Sequence, residues 1–135
     1  MSERGSASTE MVLLTPVLLL LLVLVVFLGR LAQARNDVDR AARDAARAAS
    51  IARFSEDAEA AGRAAAQATL ESGGLPCREM AVSVDTTGFD FGGTVSVVVT
   101  CTMEVADVAS LGVPGSTTLT ASFREPVDTH RGVRQ

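Results

Sequence analysis

Few residues of this chain are equipped for chemistry: a carboxylate at Glu10, a pair of cysteines at Cys77 and Cys101, and a single histidine, His130. Glu10 stands directly before residues 11–29, MVLLTPVLLLLLVLVVFLG, a run without charge. A carboxylate buried unpaired near a bilayer centre costs on the order of 2–3 kcal/mol, so Glu10 calls for a cationic partner. The alternative is that it snorkels to the headgroups. An even pair of cysteines in a small domain behind an apolar segment reads as a disulfide in an oxidising compartment. Two reduced thiols in a core is the other reading. A bridge would remove chain entropy worth roughly 3.5 kcal/mol of stability. His130 falls in a patternless tail and reads as a solvated residue. Two cysteines without neighbouring histidines do not make a zinc site. No catalytic set emerges, so the chain is expected to be neither an enzyme nor the holder of a metal or cofactor.

The elements that position these residues begin with the apolar run. At 1.5 Å per residue it spans about 28 Å, close to the hydrocarbon thickness of a bilayer. Nothing else in 135 residues could enclose so apolar a rod, so it is read as one transmembrane helix, with Pro16 tolerated near its first turns. That leaves room for one small domain. The net charge is −4 and the 12 basic residues are arginines spread along the chain. No basic patch with interleaved aromatics points to nucleic acid, and no small-molecule substrate is indicated.

Past Gly29 the helix is predicted to continue into water to about Arg53. Leu31, Ala34, Val38, Ala41, Ala45, Ala48 and Ala52 recur at steps of three and four, forming one narrow face. Asp39 with Arg43, and Arg40 with Asp44, stand at i,i+4 on the other faces. The alanine seam permits close approach, either to neighbouring subunits or to the chain's own C-terminal domain. Ser55, with Glu56 and Asp57 behind it, reads as the N-cap of a second helix that stops at Gly73-Gly74. Beyond Pro76 the period becomes two. Met80, Val82 and Val84, then Val95 to Val105 at alternate positions, then Leu119, Ala121 and Phe123 predict three half-buried strands. The turn at 87–93 makes the first two a hairpin, and a loop over 107–115 joins the second to the third. Phe89 and Phe91 at the hairpin tip either form a contact patch or cover the sheet edge. The expected fold class is α+β, a three-stranded antiparallel sheet with its apolar face covered by helix 56–71.

The residues before the apolar run carry a sharper signal. Arg4-Gly5-Ser6-Ala7-Ser8-Thr9-Glu10 resembles the type IV prepilin processing site, in which a membrane-bound peptidase cuts after the glycine. The resemblance places the cut between Gly5 and Ser6. The new α-ammonium on Ser6 of a neighbouring subunit would then be the cation for Glu10. A competing A-x-A site at Ala32-Gln33-Ala34 would release a soluble domain, but the apolar run exceeds the usual h-region and Glu10 stands where positive charge is expected. Orientation is contested. Arg30, Arg35, Arg40 and Arg43 after the helix outnumber Arg4 before it, which favours a cytoplasmic C-terminus. The short leader-like N-terminus and the cysteine pair favour the reverse, and that arrangement is preferred: a single-pass cell-membrane protein with its domain outside the cytoplasm.

Taken together, RGSASTEMVLLTPVLLLLLVLVVFLGRLAQARNDVDRAARDAARAA resembles the N-terminal region of TadE-like proteins, pseudopilins of the tight-adherence (Flp) pilus system. The shared features are the Arg-Gly start, Glu10, Pro16, Gly29-Arg30, Ala34-Arg35-Asn36 and the Ala-Ala-Arg repeat near 41–49. Met11 departs from the major Flp pilins, which usually have tyrosine after the glutamate, and the extra domain sets this chain apart from those far shorter proteins. The resemblance implies a minor pilin or assembly factor, with prepilin peptidase, other pilins, Tad assembly proteins and the membrane as partners. It divides the chain into a leader at 1–5, the transmembrane and extended helix at 6–53, a small extracytoplasmic α+β domain at 54–126 and a loose tail at 127–135. A signal-anchored surface binding domain unrelated to pili is the alternative.

Overall fold

The computed structural model describes residues 4–90, 92–109, 112 and 114–127; Phe91 and His130, singled out above, lie outside them. In chain order the elements are α1 (Arg4–Ser50), α2 (Ser55–Ser72), β1 (Glu79–Asp85), β2 (Thr94–Glu104), α3 (Val105–Ala109) and β3 (Ser116–Pro126). The α+β class and the long N-terminal helix are as the sequence predicts.

Helix α1 is 47 residues long and contains Pro16 without a break. Residues 11–29 are apolar all round and the rest of the helix is striped, because beyond the apolar run one face packs on the domain while the other meets water. The helix ends at Ser50, three residues short of the expected Arg53. At this end the Arg47 carbonyl accepts twice, from the Ser50 Oγ at 2.8 Å and from the Ile51 N–H at 3.3 Å. Ser55 is not the N-cap of α2. Phe54 holds that position in extended conformation with no side-chain cap, so the first turn of α2 relies on Glu56 and Asp57 near its positive end.

The sheet has the order β1-β2-β3 and is antiparallel throughout. Met80 lies opposite Cys101 and Val84 opposite Val97, while Leu119 and Phe123 take the same partners from the other side. Alternation puts Val95, Val97, Val99, Cys101 and Met103 of β2 wholly inside. The opposite face is polar, and Thr102 meets Thr118 across the strands with hydroxyls 3.2 Å apart. The predicted alternation through Val105 stops one residue early. Val105 opens α3, its N–H donating to the Gly115 carbonyl at 2.9 Å, so the expected loop at 107–115 begins inside a short helix. Val127 is no part of a loose tail either: it is buried, and its N–H donates to the Gly93 carbonyl at 2.8 Å.

The covering of the sheet is also redistributed. The water-exposed half of α1 lies across β2 and β3, whereas α2 packs on α1 and over β1. The alanine seam therefore docks onto the chain's own domain. Ala34, Val38, Ala41, Ala45 and Ala49 are buried, and Ala42 and Ala46 widen the stripe to face both α2 and the sheet. The expected i,i+4 pairs yield to other partners, tertiary for Asp44 and Arg43 and a local i,i+3 one for Arg40. Asp44 accepts from the Thr69 hydroxyl of α2 at 2.8 Å, Arg40 sits 3.9 Å from Asp37, and Arg43 lies 5.6 Å from the ring centroid of Phe123. Such contacts compete well with exposed ion pairs, which contribute only a few tenths of a kcal/mol.

Gly62 shows how close the helices come. A Cβ there would stand 3.1 Å from Val84 Cγ2 and 3.3 Å from the carbonyl oxygen of Ala45. Small residues on α1 and a glycine on α2 allow backbone-to-backbone contact that any larger side chain would block. A second close approach closes the β1–β2 hairpin, where a Cβ on Gly93 would overlap the Gly88 carbonyl.

Candidate functional site

The N-terminal half of α1 is the part of this protein left without an internal partner. From 43% at Val23 to 74% at Met11, every large apolar side chain between 11 and 26 is exposed. It is one helix long and apolar enough to cross a membrane. Leaving these side chains in water would forfeit roughly 1.5–3 kcal/mol for each, so lipid or neighbouring helices must cover them. The single interruption is local. Pro16 has no N–H to donate to the Val12 carbonyl, and the Thr15 hydroxyl donates back to the Met11 carbonyl at 2.7 Å.

Glu10 is exposed at the N-terminal edge of this surface. Among the described residues no cation pairs with it. Gly5 and Ser6 lie in the first turns of the same helical backbone. A bond in the opening turn of a helix can be unwound for a peptidase at little cost, because the first N–H groups have no intrahelical acceptor.

The two cysteines sit at the other end of the molecule from Glu10. Cys77 and Cys101 form a disulfide with their Cα atoms 5.4 Å apart, joining the segment after α2 to the centre of the inner sheet face. Both cysteines are thereby consumed in structure. Arg78 next to the bridge pairs with Glu104 at 3.0 Å, fixing the same end of the sheet. Phe89 at the hairpin is half-buried and packs against the core. Among the described residues, the exposed large apolar side chains of the domain are Ile51 and Phe54, in the turn between α1 and α2.

Two features escaped the sequence reading. Asp37 is a charged residue at 8% exposure, placed where the α2 chain leaves its helix: a Cβ on Gly73 would meet its carboxyl carbon at 3.4 Å. Its spacing from Ala34 and Ala41 puts it on the seam, so its burial was legible. Arg30 reaches the domain as well: its Nη1 donates to the Val108 carbonyl of α3 at 3.3 Å. No local pattern links residues so far apart.

One outlying carboxylate is electrostatically distinctive. Asp85, at the end of β1, accepts from the Thr87 N–H at 3.0 Å and from the Thr87 hydroxyl at 2.7 Å. The backbone N–H first, then the hydroxyl, and more weakly the charge of Arg124 hold its carboxyl below the ordinary value. This is a turn-closing arrangement. It offers no acid–base chemistry.

No curated protein and no solved structure matches the chain. Residues 5–47 match the model of a family described as TadE-like protein. The matched stretch contains the bond after Gly5, Glu10, the whole exposed apolar surface and most of the buried alanine stripe, so it is over α1 that the chain is similar to TadE-like proteins.

Proposed function

We propose that this chain is a minor pilin or assembly factor of a Tad (Flp) pilus, held in the cell membrane by α1 and working through helix contacts, with no catalysis of its own. The observation that carries the reading is the family match over residues 5–47, together with an apolar helical surface that nothing among the described residues covers. Prepilin peptidase cuts between Gly5 and Ser6. The ammonium freed on Ser6 of one subunit pairs with Glu10 of its neighbour, which lowers the cost of a carboxylate at the edge of lipid. Other pilins and Tad assembly proteins meet the exposed half of α1, since the alanine seam is already occupied by the chain's own domain. The disulfide supports a domain outside the cytoplasm. Release by a cut after Ala34 fits poorly, because Ala34 is buried against the domain in mid-helix.

Mass spectrometry of the protein extracted from membranes tests this. A chain beginning at Ser6 is the expected result. An intact Met1 in cells with active peptidase would favour the signal-anchored binding domain instead, and a start at Arg35 would mean secretion. With processing established, Glu10→Ala is expected to leave membrane insertion intact and to reduce co-purification with other pilus components.

A further inference from the structure

The folded domain reaches down to the apolar span. Phe27 is the one residue between 11 and 30 that is half-buried, and it packs against the core cluster that includes Val108. One turn later Arg30 donates to the Val108 carbonyl. The Arg30 bond and the packing of α3 on α1 fix α3 at a definite height on that helix, beside the point where the apolar run ends.

That height can be worked out from the charges that bound the run, given the reading of α1 as membrane-spanning on which this inference rests. Arg30 follows Glu10 by 20 positions, which in an α-helix is about 30 Å, the thickness of the hydrocarbon core itself. There is no slack. Sliding the helix outward by one turn, about 5.4 Å, would lift α3 clear of the bilayer but draw Glu10 into hydrocarbon. Tilting shortens the projected span and brings α3 closer to the lipid. Arg30 is thus held at the hydrocarbon boundary, and the carbonyl it contacts is 3.3 Å from its guanidinium. The headgroup layer extends about 5–8 Å beyond that boundary. We propose that α3 and the base of the domain around it rest in this headgroup layer, so that the lipid surface is a second contact of the domain beside the helix that threads it. The half-buried Val105 and Ala106 and the exposed Asp107 are then at the depth of phosphate and glycerol, and the domain is seated on the membrane with no free stalk beneath it.

The chain has no Trp or Tyr, so one introduced indole reports its own depth. Full-length Asp107→Trp, Gln67→Trp on the exposed side of α2, and Leu20→Trp in mid-span are reconstituted into phosphatidylcholine vesicles brominated near the headgroup or near the chain end. The expected result is quenching of Leu20→Trp by deep bromine, and quenching of Asp107→Trp by shallow bromine about twofold or more above Gln67→Trp. Because indole itself favours the interface, an Asp107→Cys variant carrying a nitroxide, read by collision with oxygen against an aqueous nickel chelate, must give the same order. Asp107 probes that match Gln67→Trp while Leu20→Trp is quenched would overturn the seating of α3 and leave the membrane span standing. Loss of deep quenching at Leu20→Trp would remove the span, and this inference with it.

Discussion

Replacing Gly62 with alanine sets two effects of similar size against each other. Alanine in a helix interior is favoured over glycine by about 1 kcal/mol, so an isolated α2 would gain. In the folded protein the new methyl meets Val84 Cγ2 at 3.1 Å and the Ala45 carbonyl oxygen at 3.3 Å. The valine methyl can shift, but the carbonyl belongs to the α1 backbone and moves only if the helices separate along the whole alanine stripe. Overpacking of this kind costs about 1–3 kcal/mol. The net expectation is destabilisation by about 1 kcal/mol, or a fall in melting temperature of about 4–8 °C for a domain of this size. Gly62→Val should lose more, since its extra methyls meet the same backbone. Gly29→Ala is the control: it is also a helical glycine, but its Cβ would meet nothing within 4 Å, so the domain transition should not move. Scanning calorimetry of the full-length protein in detergent reads all three. A Gly62→Ala protein that melts higher than the parent, as propensity alone demands, would refute the close helix contact. A double-mutant cycle with Val84→Ala should show coupling, because the two changes share one contact.

The Cys77–Cys101 bridge joins positions 24 apart, so reduction without mutation should lower stability by roughly 3.5 kcal/mol; coincident urea transitions for oxidised and reduced protein would contradict this. The depressed Asp85 carboxyl stabilises the fold above its ordinary value of 3.8, and that contribution is lost as pH falls below 3.8 and through the lower folded-state value. Thr87→Val removes the hydroxyl donor and should raise the Asp85 titration midpoint toward 3.8, measurable by NMR of the carboxyl carbon; an unmoved midpoint would show that the hydroxyl has no part in it.

Local pattern was enough wherever one residue's neighbours in sequence are also its neighbours in space. The period-two alternation placed Val95, Val97, Val99 and Cys101 on the inner face, and the steps of three and four placed Ala34, Val38, Ala41 and Ala45 on one stripe of α1. Pattern failed at element ends. Ser55 looked like an N-cap and is not one, and Val105 continued the alternation yet begins α3. In both cases a contact from elsewhere in the chain, or the need to turn, outweighed a preference of under about 1 kcal/mol.

The sequence by itself determined that α1 is long and apolar at one end and that the sheet has three strands, because each follows from periodicity or composition. It also marked Gly5, Ser6 and Glu10, whose meaning lies in their spacing from the apolar run. Only the tertiary structure decided which surface remains open for partners. An alanine stripe is equally suited to a neighbour or to its own domain, and the choice depended on how α1, α2 and the sheet fit around Gly62. The height of α3 beside Arg30 was decided in the same way, by a contact across 78 positions that no local preference encodes.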